Sequence, residues 1–170
     1  MRSLFLLLLL LAAGYPVRTE ADTMVTKMAL VTIETSALIK APVAMVWSTL
    51  TDPSRARQWC PYWAGATDTQ SLAGVGATIA YKDEFGNPGR TVVIHAEPNR
   101  DLRVAHAPND GSYLCQTAFK LAAEGTGTRL TVVEQYSDQM DVPLDKDTAA
   151  AAAQSIQSYV LAIKAMVEAR

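Results

Sequence analysis

The chain reads as an α+β fold, a curved antiparallel sheet of about six to seven strands wrapped around a long C-terminal helix, with two short helices after the first strand. Three observations predict it. Residues 30–39 alternate as a strand and run straight into Pro42. Residues 77–136 break into short alternating segments separated by tight-turn residues. Residues 145–168 hold neither Gly nor Pro and repeat apolar side chains at helical spacing.

In the first strand Val31, Ile33 and Thr35 alternate with Thr32, Glu34 and Ser36, and an irregularity near Ser36 is expected before Leu38 and Ile39. Pro42 suits a helix start, because the amide it lacks would be orphaned there. Met45, Val46, Thr49 and Leu50 follow at helical spacing, with Trp47 beside them. Asp52 is placed to cap a second helix with Pro53 at its first position, and Pro61 stops that helix near Trp59. Residues 62–72 read as a weak strand, with a turn at Gly74-Val-Gly76. Residues 77–82 form a strand, Phe85 to Gly89 a loop, and Arg90 to Glu97 a strand burying Val92, Ile94 and Ala96. After a turn at 98–101 come strands at 102–107, 112–122 and 128–136, the hairpins marked by Asn109-Asp-Gly111 and Gly125-Thr-Gly127. Tight turns without intervening helices imply an antiparallel meander. The final helix presents Ile156, Tyr159, Val160, Ile163 and Val167 along one stripe, extended by Ala149, Ala152 and Ala153. At 1.5 Å per residue its length of about 35 Å spans a sheet.

With 170 residues, 49% of them hydrophobic, the chain fits one domain with a substantial core. A net charge of −2 supplies no basic field for nucleic acid or an anionic membrane. Arg2 followed by the apolar run Leu4 to Ala13 reads as a cleaved signal peptide over 1–21, leaving 22–170 as the domain. Cleavage fits before Tyr15 or before Asp22. The run is about half of the roughly 20 residues a spanning helix needs, and no cysteine follows it to carry a lipid. A secreted or periplasmic protein without a stable membrane anchor is expected, as a monomer or weak dimer. In an oxidising compartment Cys60 and Cys115 can pair, closing a loop worth roughly 4 kcal/mol if unstrained. The alternative is two buried thiols that never meet.

The residues Ile39-Lys-Ala-Pro-Val-Ala-Met-Val-Trp47, Leu50-Thr-Asp-Pro53 and Trp59 carry a family resemblance. Val93 to Leu102 and Gly127 to Val133 match two further characteristic strands. The chain resembles the SRPBCC superfamily, also called START-like or birch-pollen-allergen-like, over residues 27–169. Within it the likeness is to polyketide cyclase/dehydrase-like and Hsp90-ATPase-activator-like domains. The resemblance implies a helix-grip fold with a hydrophobic cavity between sheet and helix, used by relatives for lipids, sterols, polyketides or aromatic compounds. These motifs serve packing and turns, and fold alone assigns no function. A chaperone role does not follow, since an exported chain would not meet a cytosolic chaperone.

Alternation turns three sets of side chains toward that interior: Leu102, Val104 and His106; Tyr113, Cys115, Thr117 and Phe119; Leu130, Val132, Glu134 and Tyr136. A mostly apolar pocket with a few convergent polar groups is what a small-molecule site requires. The ligand-lining candidates are Trp63, Tyr81, His106, Tyr113, Phe119, Glu134, Tyr136, Ile156, Tyr159 and Ile163. Glu134 reads either as a base or ligand anchor or as a strand-end carboxylate at the wet rim of the sheet. His106 reads either as its acid–base partner or as a structural histidine. His95, opposite Ile94, faces solvent. Trp47 and Trp59 pack the small helices onto the sheet. No metal or cofactor motif is present: Gly74-Val-Gly76 lacks a third glycine, and the aspartates at 138–147 lack calcium-loop spacing. The expectation is a binder of a small hydrophobic or aromatic molecule. Two alternatives stay open: a cyclase, dehydratase or isomerase using Glu134 and His106, and an envelope interaction domain without a ligand.

Overall fold

The computed structural model describes residues 30–82, 86–108, 113–138 and 146–169. Six strands form one antiparallel sheet: β1 (Leu30–Ile39), β2 (Thr78–Lys82), β3 (Pro88–Glu97), β4 (Asp101–Pro108), β5 (Tyr113–Glu124) and β6 (Gly127–Asp138). Their spatial order is β1-β6-β5-β4-β3-β2, a meander from β2 to β6 with β1 added at the far edge. Helices α1 (Val43–Thr51) and α2 (Pro53–Trp59) follow β1, then a 3-10 turn at Pro61–Trp63, and α3 (Lys146–Glu168) closes the chain.

Local chemistry sets the helix boundaries. Pro42 is the N-cap of α1 in extended conformation, one position before the helix that follows. Asp52 accepts hydrogen bonds from the Ser54 amide at 2.8 Å and hydroxyl at 2.6 Å, with Pro53 opening α2. α3 lays its stripe of Ile156, Tyr159, Val160, Ile163 and Val167 on the sheet, all five buried. The end of α3 is fastened to the β1 edge. Lys164 Nζ donates to the Leu38 carbonyl at 2.6 Å, and Glu168 accepts from the Lys40 amide at 2.7 Å. No helix among the described residues is long and apolar enough to cross a membrane.

The expected strand over 62–72 is absent. Arg57 instead donates to the carbonyls of Ala66 and Asp68, and the Asp68 carboxylate accepts from the Ala80 amide. Leu72 is buried, with its amide donating to Thr51 O at 2.8 Å. This backbone is held by side chains and by α1, so it has no ladder to join. β1 keeps an unbroken register with β6, without the irregularity expected at Ser36. On β3 the inward residues are Thr91 and Val93, and a register shift between Val93 and His95 leaves Ile94 42% exposed. The extra residue changes the parity, so Ala96 returns inward opposite Leu102. His95 is exposed, as expected. Pro88 and Gly89 belong to β3 rather than to a loop. Phe85, the Asn109-Asp-Gly111 turn and residues 139–145 lie outside the described residues, as does the proposed leader.

Candidate functional site

The register sorts the inward side chains into rows across the sheet. Ile79, Thr91, His106, Cys115 and Tyr136 stand side by side in one row. The next holds Val93, Val104, Thr117, Glu134 and Ile33, and the third holds Ala96, Leu102, Phe119, Val132 and Thr35. Directly opposed residues of an antiparallel pair are about 4.5–5.5 Å apart at Cβ. The polar groups of the first two rows are therefore neighbours, gathered at one end of the sheet. Toward the other end the inward surface is aliphatic, with Leu121 and Leu130 paired and buried.

Half of this polar cluster is a histidine clamp. Trp63 Nε1 donates to Thr91 Oγ1 at 3.0 Å, and that oxygen lies 2.8 Å from His106 Nδ1. Thr91 already accepts from the indole, so its own proton is assigned to Nδ1. Nε2–H then donates to Thr117 Oγ1 at 3.2 Å. The ring keeps some surface accessibility but is enclosed by protein, with Trp63 and Tyr81 at centroid distances of 6.2 and 5.9 Å. Burial pushes its pKa down to about 4, so His106 is neutral near pH 7.

The other half centres on Glu134, which is 8% exposed. The Cys115 thiol donates to Glu134 Oε1 at 3.0 Å, and the Tyr136 hydroxyl donates to the same oxygen at 2.5 Å. Burial raises the carboxyl pKa above the ordinary range, against the pull of these two hydrogen bonds. Burial, reinforced by the adjacent carboxylate, pushes the Cys115 thiol and Tyr136 phenol well up, so both remain protonated donors. Among the described residues no Lys, Arg or His forms an ion pair with Glu134. Nor do three metal-ligating side chains converge anywhere among them.

Aromatic rings cover the cluster from the helical side. Trp59 touches Trp63, Phe119 and Tyr159 at centroid distances of 5.1, 5.5 and 6.4 Å, while its Nε1 donates to Thr49 O. Tyr62 meets Tyr159 edge-on at 6.2 Å. Ser155 donates to the Tyr159 hydroxyl at 2.8 Å, and burial raises the pKa of that phenol with further contributions from Cys60, Tyr62 and Glu134. Tyr159 is therefore within electrostatic reach of both Tyr62 and Glu134.

Trp63, Tyr81, His106, Glu134, Tyr136 and Tyr159 thus fall into one cluster, while Phe119, Ile156 and Ile163 belong to the apolar packing beneath it. Tyr113 opens β5, but its side chain lies outside the described residues. Glu134 is not a wet rim carboxylate. His106 and Glu134 do not bond to each other, because Thr117 takes the histidine proton and Glu134 accepts from Cys115 and Tyr136. Cys60 and Cys115 are buried free thiols, not a disulfide. Sequence reasoning passed over Thr91 and Tyr62, and turned Thr117 inward without giving it a role. The usable signal was threonine at inward strand positions, since a buried hydroxyl needs a partner.

A family model described as activator of Hsp90 ATPase homolog 1-like protein matches residues 40–168. No curated protein sequence matches the chain. Among solved structures, Ara h 8.0201 aligns with a TM-score of 0.66 at 15% identity, covering 83% of this chain and 99% of that one. The Aha1 dimer from Colwellia psychrerythraea aligns at 0.62 and 21% identity, covering 81% and 96%. DynU16, from the dynemicin biosynthetic locus, aligns at 0.61 and 22% identity over 81% of this chain, which spans only 47% of that longer one. At these identities the structural likeness establishes the fold.

Proposed function

The chain belongs to the activator of Hsp90 ATPase homolog 1-like family of the SRPBCC, START-like superfamily, and from that premise we propose that it binds a small hydrophobic or aromatic ligand between the sheet and α3. The observation that carries the reading is Glu134. A carboxylate is buried at the boundary between an aromatic layer and the sheet, and among the described residues it is held by two neutral donors and by no cation. Burying a carboxylate is costly, and a purely structural core has no use for one there. A polar anchor in an apolar, aromatic lining is the composition of a ligand site. Trp59, Trp63, Phe119 and Tyr159 supply the apolar surface.

An enzyme that paired Glu134 with His106 is the weaker reading. Both imidazole nitrogens are engaged by threonine hydroxyls, and the ring is held neutral. The reading includes export: cleavage within residues 1–21 would release the domain outside the cytoplasm. The mass of the protein recovered from its own host tests that step, and an intact N-terminus in the cell interior overturns it.

Binding is tested on the same material. Native mass spectrometry is expected to detect a co-purifying small molecule, or a saturable 1:1 complex with apolar aromatic probes. Tryptophan emission from Trp59 and Trp63 is expected to change on filling. Protein that arrives empty and takes up no apolar probe would refute the proposal.

A further inference from the structure

We propose that the ligand carries a protonated amine on its apolar or aromatic body, held by Glu134 within a cage of Tyr136, Tyr159 and Tyr62. The inference rests on the ligand-binding reading above and specifies the ligand's charge. Three features of the cluster point to a cation. Among the described residues the hydrogen bonds to the carboxylate converge on Oε1, from a thiol and a phenol that keep their protons, so these donors solvate a negative charge without neutralising it. No cationic side chain among the described residues compensates it. Phenols stand near it, Tyr136 bonded to it through its hydroxyl and Tyr62 edge-on to Tyr159 at 6.2 Å, and phenol faces attract cations.

The site is reachable. Tyr62 and Tyr136 are only partly buried, and Glu134 retains some exposure. The Tyr136 hydroxyl spends its proton on Glu134 and keeps lone pairs, so an ammonium N–H has two oxygen acceptors side by side, the carboxylate and the phenol. An anionic ligand would bring a second negative charge against Glu134 with no basic residue among the described ones paired to that site. A neutral hydrocarbon would gain the aromatic contacts alone. Burial raises the proton affinity of Glu134 in the empty protein, and an ammonium beside it would favour the ionised form.

A charge series of one shape tests this: 2-(1-naphthyl)ethylammonium, neutral 1-ethylnaphthalene and anionic 1-naphthylacetate, titrated into the full domain by calorimetry at pH 7. The ammonium is expected to bind at least about tenfold more tightly than the neutral compound, the combined effect of a charge-assisted hydrogen bond and aromatic faces. The anion is expected to bind most weakly. Glu134→Gln keeps the shape and is expected to bring ammonium and neutral compound within about threefold of each other. The wild-type series stands without the variant. Saturable binding of the neutral compound with no preference for the ammonium, or a preference that survives Glu134→Gln, overturns this inference and leaves the ligand-binding reading intact. No binding by any of the three overturns both.

Discussion

Protonating His106 is expected to destabilise the fold well above the pH at which carboxylates titrate. The imidazole has a pKa pushed down by burial to about 4, against an ordinary value of 6.5. The unfolded chain therefore takes up this proton more readily than the native one. Its contribution to stability is present above 6.5 and is lost as pH falls toward 4. A displacement of this size corresponds to about 3 kcal/mol when both states have titrated, with about 2 kcal/mol already lost between pH 7 and pH 5. Glu134 acts in the opposite sense: its raised pKa makes the native state bind its proton more tightly, so stability is gained as pH falls. Comparing wild type with His106→Gln by urea unfolding at pH 7, 6 and 5 cancels the Glu134 effect, and the stability gap is expected to narrow by about 2 kcal/mol over that range. The chain has two histidines, and the other, His95, lies on the solvent face. Two imidazole resonances therefore suffice for a direct NMR titration. A native His106 pKa at or above 6.5, or a gap that stays flat from pH 7 to pH 5, would refute burial of the neutral imidazole as the cause.

Three further outcomes follow from the same structure. Cys60, with its thiol pushed up to about 12, and Cys115, bonded to Glu134, are expected to resist alkylation at pH 8 until guanidinium unfolds the domain; a native mass two hydrogens lower, with no alkylation after unfolding, would show the disulfide instead. At Gly127 an added Cβ would lie 2.5 Å from the Ile39 carbonyl oxygen, where β1 and β6 meet. Gly127→Ala is expected to cost about 1–3 kcal/mol in urea unfolding, and a loss below about 0.5 kcal/mol would show that the strands simply part there. Glu134→Gln is expected to leave the empty protein at least as stable as wild type at pH 8, by up to about 1–2 kcal/mol. That advantage should shrink as pH falls through the raised pKa of wild-type Glu134, which then becomes neutral too. A variant that is less stable than wild type at pH 8 argues against a strained carboxylate.

Alternation exposed the inward faces of β4, β5 and β6 because their apolar residues repeat without interruption, from Leu102 and Val104 through Phe119 to Leu130 and Val132. The same reasoning failed on β3 for two physical reasons. Thr91 is polar yet faces inward, since Trp63 and His106 satisfy its hydroxyl. With Thr91 and Val93 inward, apolar Val92 and Ile94 are the more exposed residues, and a bulge at Ile94 then reverses the parity so that Ala96 returns inward. Residues 62–72 contain Trp63 and Leu72, two buried anchors that suggest a strand. Whether a strand forms depends on a free ladder partner, and Arg57, Asp68 and the Thr51 carbonyl had already claimed that backbone. The site was partly legible for a related reason. A side chain's facing direction is local, but whether Glu134 meets His106 or Cys115 depends on rotamers and on register across three strands.

The arrangement of rows separates stability from selectivity. At the aliphatic end β1 meets β6 closely, Thr128 donates to the Ala41 carbonyl at 2.7 Å, and Lys164 and Glu168 fasten the end of α3 to β1. These contacts hold the helix against the sheet without help from Glu134. The polar rows lie near the opposite end, next to Lys82, Pro88, Pro108, Tyr113 and Asp138, where β2 to β6 begin or finish. A carboxylate there raises the energy of the empty protein, because desolvation opposes its charge and neutral donors compensate only in part. A cation entering among the phenols would lower that energy and the ligand's own together. The stability cost at Glu134 and the selectivity for an amine are therefore two measurements of one interaction. A variant that removes the first should remove the second, while changes at the fastened end of α3 should shift stability and leave the preference for a cation untouched.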